Sequence, residues 1–184
     1  CIKQPIGVVA CITPWNFPTF NAVLKAAPAL AAGNSLVLKP SEMSSQSAIR
    51  IAQLALEAGL PPGVFNLVLG GGESIGKPLA LHHEVDMLAF TGSSRVGKLM
   101  MQYAGLSNMK SVVAECGGKS AHIIFDDGVD LDAAASYAAT MIMWNQGQVC
   151  SIGSRLLVQE SAKEQVVAKI VEHMEKIRSG DPTD

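Results

Sequence analysis

The sequence lacks the features that would commit it to several classes of partner. Lys and Arg number 14 against 16 Asp and Glu, a net charge of -2, and the basic residues are scattered. Without a basic stripe the chain cannot neutralise a run of phosphates, so no nucleic acid partner is expected. No apolar run reaches the roughly 18 to 20 residues that cross a bilayer, and the opening CIKQPIG has neither the basic segment nor the apolar core of a leader. A soluble cytoplasmic protein without membrane contact is the expectation. Cys1, Cys11, Cys116 and Cys150 form no C-x-x-C pair, which argues against a zinc knuckle or a dithiol redox motif and for reduced thiols. His82, His83 and Glu84 are adjacent but lack the i, i+4 spacing of two ligands on one helix face. They read as an exposed loop, and no metal is expected.

What is present is apolar sequence in short segments. The 184 residues are 48% hydrophobic, enough for one full domain or one domain and part of another. IGVVACI, SLVLK, VFNLVL, MLAF and SVVAE read as strands. Between them lie helical patterns: FNAVLKAAPALAAG closing at Gly33 and kinked at Pro28, SSQSAIRIAQLALEAG ending at Gly59, a short helix over 73–80 and another over 94–103. This alternation predicts an α/β fold, a doubly wound and mostly parallel sheet with helices on both faces. GGKSAHIIF, the helix LDAAASYAATMIMW, the strand SRLLVQ and a last helix follow. That helix opens on Ser161 and Glu164 in capping-box spacing, with Val167, Ile170, Val171, Met174 and Ile177 directed inward. Gly117 and Gly118 mark a change of domain, dividing residues 1–117 from 118–184.

Parallel sheets bind ligands beyond the carboxyl ends of their strands, which selects TPWNFP, KPSE, LGGGES, FTGSSRVGK and ECGGKS. FTGSSRVGK matches the start of a phosphate loop at Gly92, Gly97 and Lys98, but Leu99 stands where a magnesium-binding hydroxyl is needed. A structural turn competes with phosphate binding there. Lys39 and Glu42 read either as a solvated pair or as ribose-binding groups, and Glu42 would repel a 2'-phosphate. Cys150 is open to two readings, an inert small thiol or a nucleophile. Glu115 at a strand end is an available base, and Asn16 an amide donor.

TPWNFP, KPSE, FTGSSRVGK, ECGGKS and NQGQVC, in this order, resemble the aldehyde dehydrogenase superfamily, whose motifs are usually TPWNFP, KPSE, FTGS, ELGGKS and GQxC. The resemblance runs from Ile6 to the last residue. It implies that Cys150 attacks an aldehyde carbonyl, that Asn16 helps stabilise the oxyanion and that Glu115 activates water to release the acid. It further implies NAD as cofactor, with Lys39 and Glu42 at a ribose and Gly92, Ser93 and Gly97 near the pyrophosphate. The fold implied is the five-stranded dinucleotide variant without G-x-G-x-x-G, followed by the beginning of a second α/β catalytic domain.

Trp15 either shapes the cofactor and substrate passage or packs in the core. Phe17 and Trp144 line the substrate entrance or pack inside, and the substrate expected is an amino or gamma-glutamylamino aldehyde. Family chains are longer, so the expectation is a fragment of an enzyme that is a homo-oligomer at full length. Cys116 replaces the usual leucine of ECGGKS, at a position expected to contribute mainly backbone contacts. Two other outcomes fit the residues: a catalytically silent NAD-binding or self-associating fragment, and a relative that transfers the acyl group to coenzyme A or reduces an acyl phosphate.

Overall fold

The computed structural model describes residues 2–181 and 183, and Cys1 lies outside them. The chain divides into two compact units, Cys1–Cys116 and Gly117–Asp184.

In the first unit, strands β1 (Val8–Ile12), β2 (Ser35–Lys39), β3 (Phe65–Leu67), β4 (Met87–Gly92) and β5 (Ser111–Cys116) alternate with helices α1 (Pro18–Ala31), α2 (Gln46–Glu57), α3 (Lys77–Leu81) and α4 (Ser94–Gly105). The sheet is parallel throughout, in the order β3-β2-β1-β4-β5. Strand order therefore reverses between β1 and β4, the switch point at which ligands enter such sheets. Burial explains the composition. Val9, Cys11, Leu36 and Leu38 face a core shared with α1 and α2, while Ala10, Ile12, Leu88 and Phe90 face one shared with α3 and α4. Leu36, Leu38 and Leu88 have no exposed surface. Each such side chain stabilises the fold by about 1.5–3 kcal/mol.

Helix α1 starts at Pro18, where a missing N–H costs nothing, and continues through Pro28 to Ala31. It ends at Gly33, whose φ of +82° allows Asn34 N–H to reach Ala29 O at 3.0 Å. Gly59, with φ +90°, closes α2 in the same way through Leu60 N–H and Ala55 O at 3.0 Å. Two differences from the sequence reading lie around β3. As an edge strand with one neighbour, it is shorter than VFNLVL. The helix expected over 73–80 is a π-turn at Gly72–Gly76 leading into α3. Pro78 has no N–H to continue a helix from the preceding turn, so it sits at the start of a new one.

The second unit pairs β6 (Ala121–Ile124) in parallel with β7 (Arg155–Val158), with α5 (Leu131–Met143) and α6 (Lys163–Glu175) packed together. Asp130 caps α5 by accepting from the N–H groups of Asp132 at 2.9 Å and Ala133 at 3.1 Å. The capping box expected at Ser161 does not form. Glu160–Ala162 is a 3-10 turn, and α6 begins at Lys163 without a side-chain cap. This moves the inward face. Val166 is fully buried and Ile170 packs beside it, while Val167, Val171 and Ile177 are 44%, 49% and 38% exposed. Lys169 Nζ meets Asp132 Oδ1 at 2.8 Å, tying α6 to α5 and holding the Asp132 carboxyl below its usual range.

Candidate functional site

The carboxyl ends of the five parallel strands gather most of the expected site residues of the first unit. At the end of β1, Thr13 N–H donates to Lys39 O at 3.1 Å, fixing the TPWNFP loop against the end of β2. Lys39 is nearly buried. Its ammonium donates to Pro40 O and Gly70 O, both at 2.8 Å, and lies 3.6 Å from Glu42 Oε2. Lys39 thus joins β2 to the glycine turn after β3, and the Glu42 carboxylate, 61% exposed, is the more open member of the pair. At Gly70, φ is +152° and a Cβ would meet Ile75 Cγ1 at 2.5 Å, so only glycine fits that turn.

Gly92 ends β4, and Ser93 caps α4, its Oγ accepting from Val96 N–H at 3.3 Å. The first turn of α4 therefore opens at the sheet edge with its positive dipole end outward. Leu99 packs into the α3–α4 core, which agrees with its unfitness as a magnesium-binding position. Gly97 is buried in α4, where a Cβ would lie 2.7 Å from Cys116 Sγ and 3.6 Å from Phe90 Cε1. The expectation that position 116 contributes mainly backbone contacts is thereby corrected, because its sulfur fills the space that Gly97 leaves open.

Glu115 stands opposite Thr91 in the β4–β5 register, and Thr13 directly follows Ile12, whose partner on β4 is Phe90. Thr91 and Glu115 are thus neighbours across strands spaced about 4.8 Å apart. The hydroxyls of Thr13 and Thr91 are buried and make no hydrogen bond among the described residues. Strand alternation sends Glu115 to the exposed face of β5 and Cys116 to the α4 face.

The sequence reading passed over Lys25. Ala22, Lys25, Ala26 and Ala29 share the buried face of α1 at helical spacing, and an ionisable residue in that series was the available signal. Burial lowers the Lys25 pKa, while Cys11 and Glu115 favour its charged form. The Cys11 thiol is pushed up to about 11 by burial, with Lys25 acting in the opposite direction.

Asn16 is half-buried in the loop that leads into α1. Trp15 is 44% exposed in this chain. Phe17 makes an edge-to-face contact with Phe20 at 6.4 Å and 73°. His82 Nδ1 accepts Glu84 N–H at 3.2 Å in an exposed turn, as expected of a loop.

Cys150 belongs to the second unit and is exposed. It follows the turn Trp144–Gly147, in which Asn145, Gln146 and Gly147 have φ of 48°, 58° and 75°. A left-handed conformation is costly for side-chain-bearing residues, and two in succession mark a shaped loop. Gly118 closes against this loop: a Cβ there would lie 3.1 Å from Cys150 O. Beside it a pocket of about 380 Å³ is lined by His122, Tyr137, Trp144, Val149, Ser151 and Ile152. Trp144 is 55% exposed in this chain.

A parallel sheet in this order, with glycine turns and a capped helix N-terminus at its switch point, defines a doubly wound α/β domain of dinucleotide-fold type. The aldehyde dehydrogenase family profile matches residues 1–184, and the chain belongs to that family. It is 51% identical over 183 residues to the NADP/NAD-dependent aldehyde dehydrogenase PuuC of Escherichia coli (strain K12), covering 100% of this chain and 37% of that protein. A crystal structure of indole-3-acetaldehyde dehydrogenase with NAD+ superimposes with a TM-score of 0.96 at 54% identity, over 98% of this chain and 36% of the other. Gamma-glutamyl-gamma-aminobutyraldehyde dehydrogenase from Burkholderia cenocepacia J2315 gives a TM-score of 0.95 at 55% identity over the same shares, 98% and 36%. The chain spans little more than a third of the length of these relatives.

Proposed function

We propose that this chain supplies the cofactor-binding and nucleophile-bearing parts of an NAD-dependent aldehyde dehydrogenase, with residues 1–117 as the NAD-binding domain and 118–184 as the start of the catalytic domain. The observation that carries the reading is the exposure of Cys150. Among the described cysteines Cys11 is buried and Cys116 intermediate, and a nucleophile must be reachable. Cys150 Sγ, as thiolate, attacks the aldehyde carbon. The Asn16 side-chain amide and the Cys150 N–H donate to the oxygen that becomes negative. NAD, when bound, supplies the acceptor for the hydride lost from this adduct, which leaves a thioester on Cys150. Glu115 takes a proton from water as the water attacks that thioester, so the carboxylate leaves and the thiolate is regenerated.

The first unit suits such a cofactor. The buried hydroxyls of Thr13 and Thr91 have no hydrogen-bond partner among the described residues, and the capped start of α4 offers N–H groups to a pyrophosphate. Lys39 and Glu42 are assigned to a ribose, and Gly92, Ser93 and Gly97 to the pyrophosphate turn. The exposed Glu42 carboxylate favours NAD over NADP by repelling a 2'-phosphate. Trp15 is assigned to the cofactor and substrate passage. An amino or gamma-glutamylamino aldehyde is the proposed substrate, supported by the name of the Burkholderia cenocepacia enzyme and by the aromatic faces of Phe17 and Trp144, which can hold a cation. A cytoplasmic location and a homo-oligomeric full-length protein complete the reading.

In the full-length protein Cys150→Ala should abolish aldehyde-dependent NAD reduction, and retained turnover would remove Cys150 from its role. A second reading, a catalytically silent or self-associating fragment, is favoured by the apolar face that β6 and β7 leave exposed. Calorimetry with NAD and an oxidation assay on the 184-residue chain separate the two, since binding without turnover supports the second. Acyl transfer to coenzyme A is disfavoured by Glu115, because a base for water has no use there. Product analysis with and without coenzyme A tests it.

A further inference from the structure

We infer that Gly97 and Cys116 form a size-matched pair that positions Glu115, so that Gly97 acts on hydrolysis through packing. The inference rests on the reading of Glu115 as the base for water. Glu115 and Cys116 are consecutive on β5, and alternation directs them to opposite faces. Cys116 is the side chain by which the end of β5 is seated on α4. Its sulfur occupies the notch left by the missing Cβ of Gly97, and a Cβ there would come within 2.7 Å of it. The notch has little room to yield. Gly97 is buried, its N–H is held by Ser93 O at 2.9 Å, and Phe90 Cε1 flanks the same space at 3.6 Å. Cys116 is in turn fixed on its other side by the β4 register, Gly92 opposite Cys116 and Thr91 opposite Glu115. Gly92 itself lacks room for a Cβ, which would lie 2.6 Å from Phe90 Cζ.

A methyl group at position 97 must therefore displace the Cys116 sulfur. A shift of the residue 116 backbone carries with it the Glu115 carboxylate one residue earlier. Among the described residues the strand neighbour of β5 is β4, and β4 and α4 are the supports that fix its carboxyl end. Gly97 is accordingly a positioning residue, and the pairing makes a demand that a pyrophosphate-contacting glycine does not: removing the sulfur should relieve a larger residue at 97.

The test is a double-mutant cycle in the full-length protein, read by acyl-enzyme accumulation in intact mass and by NAD affinity. Gly97→Ala should slow deacylation by roughly tenfold or more, as small misplacements of a reacting group do, and should accumulate acyl-enzyme. Cys116→Ala alone, which opens space instead of forcing movement, should slow deacylation less than Gly97→Ala does, and Gly97→Ala with Cys116→Ala should recover the deacylation rate of Cys116→Ala. Failure of the second substitution to rescue, or a loss confined to NAD affinity, overturns the inference. Glu115→Gln serves as the control: if it accumulates no acyl-enzyme, the assignment of the base fails instead. Mass-mapped alkylation of the 184-residue chain then judges the packing independently. Cys116 should react faster in Gly97→Ala than in the parent, and an unchanged rate overturns the pair whatever Glu115 does.

Discussion

Thr91 on β4 and Glu115 on β5 stand directly opposite one another in the parallel register, and the buried Thr13 directly follows β1, the other neighbour of β4. These residues lie by the reversal of strand order, and the hydroxyls of Thr13 and Thr91 have no hydrogen-bond partner among the described residues. Unsatisfied buried polar groups are destabilising, so Thr13→Val should raise the stability of the chain by about 1 kcal/mol. Urea unfolding measures this, and a loss of stability would mean that the hydroxyl has a partner.

Cys11 makes stability depend on alkaline pH. Its thiol ionises at about 11 in the folded chain against 9.0 when unperturbed, so the folded state holds the proton more tightly. The associated stability is fully present below pH 9 and is lost as pH rises toward 11. It amounts to about 2–3 kcal/mol. Lys25, whose pKa is lowered, contributes with the opposite sign, stability rising with pH up to its unperturbed value. Unfolding curves of the parent and Cys11→Ala between pH 8 and 11 isolate the thiol, and parallel pH profiles would contradict its assignment.

Exposure also ranks the thiols by reactivity. Cys150 should be alkylated first in the native chain at pH 8, while Cys11 should require denaturant. Peptide mapping after timed labelling gives the order directly, and early modification of Cys11 would contradict the core.

The second unit leaves an apolar groove of about 620 Å³, lined by Ile123, Phe125, Leu156, Leu157 and Val167 among others. An exposed face of this kind favours association. Leu157→Lys should shift the isolated 184-residue chain toward the monomer in sedimentation velocity and reduce binding of a hydrophobic dye. An unchanged distribution would place association elsewhere.

Much of this was legible in the sequence, and the failures have physical causes. Alternating strand and helix periods, with Gly33 and Gly59 as stops, give the doubly wound sheet because local pattern and burial agree there. The motif residues after each strand follow from the rule that parallel sheets present their carboxyl ends to ligands. The start of α6 was misread because Ser161 has the spacing of a cap but falls inside a 3-10 turn, which rotates the inward face from Val167 to Val166. Lys25 was missed because a lysine is normally assigned to solvent, although its place in the Ala22, Ala26, Ala29 series marked it as buried. The fit of Cys116 to Gly97 joins residues distant in sequence and could not be read from either motif alone.

The most direct test of the central claim is the intact mass of full-length Glu115→Gln protein mixed with aldehyde and NAD, followed by peptide mapping. One acyl group per chain is expected, attached to Cys150 and slow to leave. No adduct, or an adduct on Cys11 or Cys116, would contradict it.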